Sequence, residues 1–335
     1  MKKILMAVCV ISVLSLVGCK KDSNDPTPTP QEQGNEGIYN PGAKIATRTT
    51  DNGMEQWVWD GAKVDRIESA DLNGNVIGVQ QFTYNGDRIA TSTQTVEGIE
   101  TEMRVNYSGN HVSSIGVYTD GTQSLNATVN HNAANKISSI HLDVDASYIT
   151  NLLGTLMQGG GFNFVNAKGG RKLSLTSTDI NATFEWQGDN VSRMIIVADI
   201  EAGVTMDDIA QVVDLNAMLG DMASLLALIQ GEQPLTVHLR DTIDFTYDDQ
   251  HNPLQGFIGL LDPQVLSANN YMLMDNHGIA DINLTLNVPI MGPYPIEHSQ
   301  PIVRVMDYYY TYNGAGFPLT VTDDEGNSTT YTYNE

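Results

Sequence analysis

The chain has 335 residues, enough to bury a sizeable core in one large or two ordinary domains. Its 17 Lys+Arg stand against 40 Asp+Glu, a formal charge of −23, which excludes a duplex binder that must neutralise phosphates and a polybasic membrane-surface protein. Charged residues are only 17% while Thr, Asn, Gly and Tyr abound, the composition of a β-protein rather than a helical bundle.

At the N-terminus, Lys2 and Lys3 precede an apolar run, Ile4 to Leu16, that is too short for a comfortable membrane span. The run ends in Leu16-Val17-Gly18-Cys19, the pattern of a bacterial lipobox. Residues 1–18 are therefore expected to leave as a signal peptide. Cys19 becomes the lipidated N-terminus, because the lipid is attached to sulfur, and several acyl chains make such an anchor stable. Cys9 departs with the signal and Cys19 is consumed, so the folded part has no disulfide, thiol nucleophile or Cys metal ligand. The mature chain then holds 15 basic and 40 acidic residues, a formal charge of −25.

Residues 19–37 read as the lipidated Cys and a flexible tether, with Pro26, Pro28 and Pro30 alternating with Thr. Such a segment stays extended at about 3.1 Å per residue and holds the domain up to roughly 50 Å from the membrane. Lys20 to Asp25 is a weak version of the acidic signal that directs some Gram-negative lipoproteins to the outer face. The expected place is the outer membrane, with surface exposure.

Residues 38–335 read as one domain organised by a repeated phrase: aromatic, polar, aromatic, a Gly/Asn/Asp turn, then a polar–apolar alternation. Copies start at Val58-Trp59, Phe82-Thr83-Tyr84, Val105-Asn106-Tyr107, Val129-Asn130-His131, Phe184-Glu185-Trp186, Phe245-Thr246-Tyr247, Tyr310-Thr311-Tyr312 and Tyr331-Thr332-Tyr333. Residues two apart share one face of a strand. The Asn-Gly, Asp-Gly or Ser-Gly pair supplies positive φ for a tight turn, and the alternation is the return strand. The early copies recur about every 21–25 residues, enough for two strands and two turns of an antiparallel β-meander. A sheet of roughly 14–16 strands is expected to curl or close.

The gaps between later copies predict helical insertions packed on or inside the concave face. Ser147 to Gln158 reads as a short helix and Thr205 to Ile229 as a longer one with a wide apolar stripe. Asn252 to Leu261 looks partly helical, ending near Ser267 to Asn270. The fold class is thus all-β with helical insertions, a large meander that is curved or closed like a barrel.

The lipobox at Cys19, the Pro/Thr tether, the spaced phrases, Asn252-Pro253-Leu254-Gln255-Gly256 and Asn269-Asn270-Tyr271 together resemble bacterial lipoproteins catalogued as a domain of unknown function with a porin-like fold. The resemblance covers roughly residues 53–335. It implies a many-stranded antiparallel barrel or strongly curved sheet, and no activity. The phrases also resemble the YD repeats of toxin-shell proteins, without their regular period. A membrane pore is not expected, because strands such as Asp120 to Asn132 are too polar for an outward apolar band.

Chemistry is sparsely signalled. The acid pairs Asp207-Asp208, Asp248-Asp249 and Asp323-Asp324-Glu325 fit a helix start or turns. The seven histidines lack the i,i+4 spacing of a zinc site. Asp71-Leu72-Asn73-Gly74-Asn75 resembles half a calcium loop, but Val76 and Phe82 stand where Gly and Glu are needed, so a hairpin turn is expected. No serine elbow or phosphate loop is present. Neither an enzyme nor a cofactor is expected.

Tyr308-Tyr309-Tyr310, Tyr312, Trp57 and Trp59 could build a sugar-stacking platform, although alternate aromatics in a strand face opposite sides. From Met194 to Glu335, Arg240 and Arg304 are the only basic residues against 20 acids, a local charge of −18 suited to a solvated surface or a cationic partner. The expected function is a non-enzymatic binding or interaction module of the envelope. The alternative is a carrier of a hydrophobic ligand between the sheet and the helix ending at Ile229. Partners are the membrane through the N-terminal lipid, and a glycan, a hydrophobic ligand or another envelope protein. The candidate ligand-facing residues are Trp57, Trp59, Tyr309, Leu225, Leu226 and Ile229. The sequence does not specify the oligomeric state.

Overall fold

The computed structural model describes residues 37–39, 41–96, 99–144, 174–205, 229–257, 263–289 and 292–334. Nine short strands come first: β1 (Ile45–Thr50), β2 (Gly53–Asp60), β3 (Lys63–Ala70), β4 (Val76–Asn85), β5 (Arg88–Val96), β6 (Ile99–Ser108), β7 (His111–Thr119), β8 (Thr122–His131) and β9 (Ile137–Val144). Five long strands follow: β10 (Ser174–Gln187), β11 (Asn190–Val204), β12 (Gln233–Tyr247), β13 (Tyr271–Val288) and β14 (Gly292–Tyr312). The short strands β15 (Pro318–Asp323) and β16 (Ser328–Tyr333) complete the order. Each strand pairs antiparallel with the next, and β1 pairs back onto β16, from Ile45↔Tyr333 to Thr50↔Thr329, to close a barrel. Closure leaves no lateral edge where the pairing is continuous.

The expected meander is found, closed rather than only curved, and each repeated phrase sits at the end of an even-numbered strand. In four of the two-residue turns Gly61, Gly86, Gly109 and Gly188 take φ between 56 and 61°, a conformation that costs an L side chain about 1–2 kcal/mol. Just before the second aromatic of each phrase the register slips by one residue, at Val58/Trp59, Thr83/Tyr84, Asn106/Tyr107, Asn130/His131, Glu185/Trp186, Thr246/Tyr247 and Thr311/Tyr312. The closing pair slips beside Tyr333 in the same way. These are β-bulges, which bend the strand and increase its twist.

In six of the eight units the second aromatic bonds a carbonyl of the preceding strand, while Tyr312 donates to Asp248 instead. Trp59 Nε1 donates to Ile45 O at 2.7 Å, Tyr84 OH to Val64 O at 2.7 Å, and Tyr107 OH to Ile89 O at 2.7 Å. Trp186 Nε1 donates to Ile137 O at 2.8 Å, Tyr247 OH to Val191 O at 2.7 Å, and Tyr333 OH to Pro318 O at 2.7 Å. In each case the acceptor lies at the start of the preceding strand. A cation completes four of the units. Lys44, Lys63, Arg88 and Lys136 place their charge over Trp59, Tyr84, Tyr107 and Trp186, 5.0–5.5 Å from the ring centres. The same four donate to the carbonyls of Gly61, Gly86, Gly109 and Gly188. In the β7–β8 unit the equivalent positions hold His111 and His131, with ring centres 4.9 Å apart.

Alternation sorts the two faces. Along β12, Leu235, Val237, Leu239, Ile243 and Phe245 are buried, while Thr236, His238, Arg240, Thr242 and Asp244 take the other face. The outer face carries Thr pairs (Thr83–Thr91, Thr311–Thr320, Thr47–Thr332) and charged pairs. Among the latter are Arg193–Asp244 at 2.6 Å and Arg66–Glu68 at 2.7 Å, and His238 bonds Asp199 at 2.6 Å on the same face. The inner face is the hydrophobic core.

The wall is uneven in height. β14 pairs β13 from Gly292 to Asp307 but meets β15 only from Tyr308 to Tyr312. β10 meets β9 only from Ile180 to Thr183. The five long strands therefore rise as one side above the short strands. On β14, Pro293, Pro295 and Pro301 share the same odd phase, which suits a side with no ladder bond to make.

The expected helical insertions are not found among the described residues, where the only helix is α1 (Pro263–Leu266). Ser147 to Gln158 and residues 206–228, including Leu225 and Leu226, lie outside the described residues. The segment after Asn252 forms turns instead of a helix for local reasons. Asn252 Oδ1 accepts from Leu254 N, and its Nδ2 donates to Gln264 O and Ser267 O. Pro253 follows, and Gly256 has φ 77°.

Tyr84→Phe removes one locking bond and is expected to lower stability by about 0.5–1.5 kcal/mol, read as a lower urea midpoint. Tyr309→Phe, on the outer wall and 46% exposed, leaves the midpoint unchanged.

Candidate functional site

The turns that follow the repeated phrases and both described chain ends gather at one end of the barrel, and a loop closes it. The described parts of the β12–β13 connection, residues 248–257 and 263–270, lie across this end. Its Phe257 ring lies 4.8 Å from Trp57 on β2, 5.5 Å from Phe82 on β4 and 4.9 Å from Tyr39. Tyr39 OH donates to Pro253 O at 2.6 Å, and Ile89 N donates to Gly37 O, so the N-terminal segment is tied into the same cap. The loop also holds the rim: His251 N bonds Gly316 O, Ala268 N bonds Asp189 O, and Ser267 Oγ accepts from Val191 N.

Asp248 anchors the loop. Its carboxylate accepts from Gln250 N and Asn270 N, both at 3.1 Å, from Asn270 Nδ2 at 3.2 Å, and from Tyr312 OH. Burial nevertheless pushes its carboxyl up to about 6, outweighing those bonds. The geometry is that of a structural anchor.

A second polar feature faces the interior. Asp241 occupies the apolar phase of β12, between Leu239 and Ile243. Its Oδ2 accepts from Asn276 Nδ2 of β13 at 3.1 Å. Both residues are 8% exposed, and Asp241 Oδ1 and Asn276 Oδ1 have no hydrogen-bond partner. Burial raises the Asp241 carboxyl above its ordinary range, against the bond from Asn276. Gly278 is the cross-strand neighbour of Asp241, and a Cβ there would collide with Oδ1, so the missing side chain gives the carboxylate its place on the sheet.

The expected ligand-facing residues do not form one site. Trp57 is buried in the cap, and Trp59 packs beside it against Tyr39, with its N–H spent on Ile45. Tyr308 and Tyr310 are core residues, Tyr312 is half-buried, and Tyr309 points outward. Trp57 and Tyr309 thus lie on opposite faces of the wall. Ile229 is buried and belongs to the core. Cys19 lies outside the described residues. Tyr309 shares the outer face of β14 with Val303 and Val305, next to Ile279 of β13, all exposed.

The calcium-like segment is a turn. Asp71 Oδ1 accepts from Asn73 N and Asn75 N, both at 2.9 Å, and the carboxylate takes Asn75 Nδ2 as well. These bonds, the Asn75 side chain's first, hold the carboxyl below its usual range. No group of three or more His, Cys, Asp or Glu side chains able to hold a metal gathers among the described residues. Sequence reading passed over Asp241. Its signal was an acid in the phase of Leu235, Val237, Leu239, Ile243 and Phe245.

No family model matches the chain, and no curated protein matches it. Among solved structures it is similar to a porin-like protein from Bacteroides uniformis, at 8% identity over 89% of this chain and 100% of that one, with a TM-score of 0.40. It is also similar to a porin-like protein from Bacteroides vulgatus, at 10% identity over 87% and 99%, with a TM-score of 0.31.

Asp248 fixes the sign of one pH effect. A carboxyl raised on folding stabilises the fold fully below its unfolded value near 4, and that contribution is lost as pH rises through about 6. Thermal unfolding between pH 4 and 7 is expected to show this loss, at most about 3 kcal/mol. Asp248→Asn removes it.

Proposed function

We propose that this protein is a lipid-tethered envelope barrel that stands in water outside the bilayer and acts as a non-enzymatic binding module. One observation carries the reading: charged pairs sit partway along the strands on the outer face, at Arg193–Asp244 and Arg66–Glu68, with the hydrogen-bonded His238–Asp199 pair beside them. In a membrane-spanning barrel that face would meet lipid, where a basic side chain at mid-depth costs about 2–4 kcal/mol. Here polarity is outside and the apolar face inside, the reverse of a pore. Attachment then falls to the lipid on Cys19. Between Cys19 and Gly37 the chain reaches no more than about 60 Å, and Gly37 enters at the capped end. The acidic outer wall with its apolar stripe at Ile279, Val303, Val305 and Tyr309 suits contact with another envelope component.

A second reading, a carrier of a hydrophobic ligand, is favoured by a different observation. The inner face of the long strands is apolar, with Ala198 and Ile200 on β11, Leu235 and Leu239 on β12, and Ile282 and Leu284 on β13. Yet the same face includes the unsatisfied acceptors of Asp241 and Asn276.

Cys19→Ala is expected to release the chain into the aqueous phase of a detergent phase separation, while the unaltered protein partitions with detergent. Retention of Cys19→Ala with the detergent would mean that the barrel itself enters the bilayer.

A further inference from the structure

The buried pair on β12 and β13 lacks donors, and its surroundings say what kind of donor would fit. Asp241 and Asn276 present two acceptor oxygens, Oδ1 of each, with no partner. Around them the inner face is apolar: Leu239 and Ile243 flank Asp241 along β12, and Met274 and Ala280 lie along β13. Arg304 is the inward-facing basic residue nearest in register, opposite Asn276, and its guanidinium is bonded to Glu325 at 2.9 Å. His277 lies on the outer face, with its Nε2 2.7 Å from Asp275 Oδ1. A carboxylate held in apolar surroundings without a cation is costly, and a bound positive charge that donates hydrogen bonds offsets that cost.

The pair can also be reached. Along the inner face of β14, Ile296, His298, Gln300, Ile302 and Arg304 are only half-buried, so solvent touches this strip beside Asn276. A strip of mixed apolar and polar side chains leading to two buried acceptors suits a molecule with an apolar body and a donor head.

We propose that Asp241 and Asn276 form the head-group site for a cationic amphiphile, a primary or secondary ammonium bearing an apolar chain. The N–H groups donate to Asp241 Oδ1 and Asn276 Oδ1, the charge neutralises the carboxylate, and the chain lies on the apolar inner face. Gly278 keeps the carboxylate flat against the sheet. The strongly acidic chain raises the local concentration of such cations. This assignment rests on the carrier reading and adds the chemistry of the ligand.

The test is calorimetric titration of the full chain carrying Cys19→Ala, in detergent-free buffer, with n-octylammonium, n-octanol and n-octanoate. Octylammonium is expected to bind about tenfold tighter than octanol, with octanoate weakest, as a charge-assisted pair requires. Asp241→Asn brings octylammonium and octanol to within about twofold of each other. Gly278→Ala, which displaces the carboxylate, weakens octylammonium while leaving octanol unchanged. Asp307→Asn, on the outer wall, changes neither. A preference for the ammonium that survives Asp241→Asn would overturn the assignment. Octanol binding as tightly as octylammonium would overturn it too, reducing the pair to a site for internal water and leaving the carrier reading in place. Binding of neither would overturn both.

Discussion

One constraint recurs eight times around this molecule: a strand must take in an extra residue beside an aromatic that donates its only hydrogen to the strand before it, or holds the equivalent position. A bulge bends and twists a strand, and a wall of sixteen antiparallel strands closes only if that bending is distributed regularly. Eight of the slips fall at one height, near the capped end, because the phrases carrying them all end there; three more, at Ser69/Ala70, Val117/Tyr118 and Leu175/Ser177, lie toward the other end. The aromatic fills space on the inner face and satisfies a backbone carbonyl that the slipped register has freed. Lys44, Lys63, Arg88 and Lys136 then link the ring of one unit to its turn glycine, so neighbouring hairpins are tied together. In an acidic chain with few cations, placing four of them in these clasps shows where positive charge is spent.

The rest of the architecture follows from having that end fixed. The other end is free to vary, and strand length runs from 6 to 21 residues. With the apolar phase of the strands turned inward, the cap and the core shield the interior near the capped end, and the outer face keeps its charges solvated. A barrel built this way gains nothing from lipid around it. On the proposed reading, attachment and orientation toward the membrane are properties of the N-terminal anchor, and binding would fall to the interior of the tall side or to the outer wall.

Much of this was legible in the sequence, and the reasons differ from place to place. Two aromatics at i and i+2 before a glycine turn fix both a face and a chain reversal, so hairpins and the meander could be read directly, while the choice between a curled and a closed sheet could not. Tyr308, Tyr309 and Tyr310 obey alternation, with Tyr309 alone outward. The bulges were hidden because an inserted residue changes register without changing composition. The cation clasps were hidden because Lys63 meets the turn at Gly86, and only pairing brings those positions together. The segment after Asn252 misled because its leucines and Phe257 suggest a helical stripe, whereas Asn252 captures the backbone and Pro253 and Gly256 bend it. Trp57 and Tyr309 could be grouped as one platform only until strand phase put them on opposite faces.

The central claim is that the outer face of the wall meets water. It is tested most directly by spin labels on cysteines placed at Thr83, Asn106, Asp199 and Val303, in the lipidated protein reconstituted into bilayers. Collision with a water-soluble paramagnetic reagent should dominate at all four positions, with oxygen contributing as it does in bulk solvent. A contiguous band of labels accessible to oxygen and shielded from the aqueous reagent would place the wall in lipid and contradict the account.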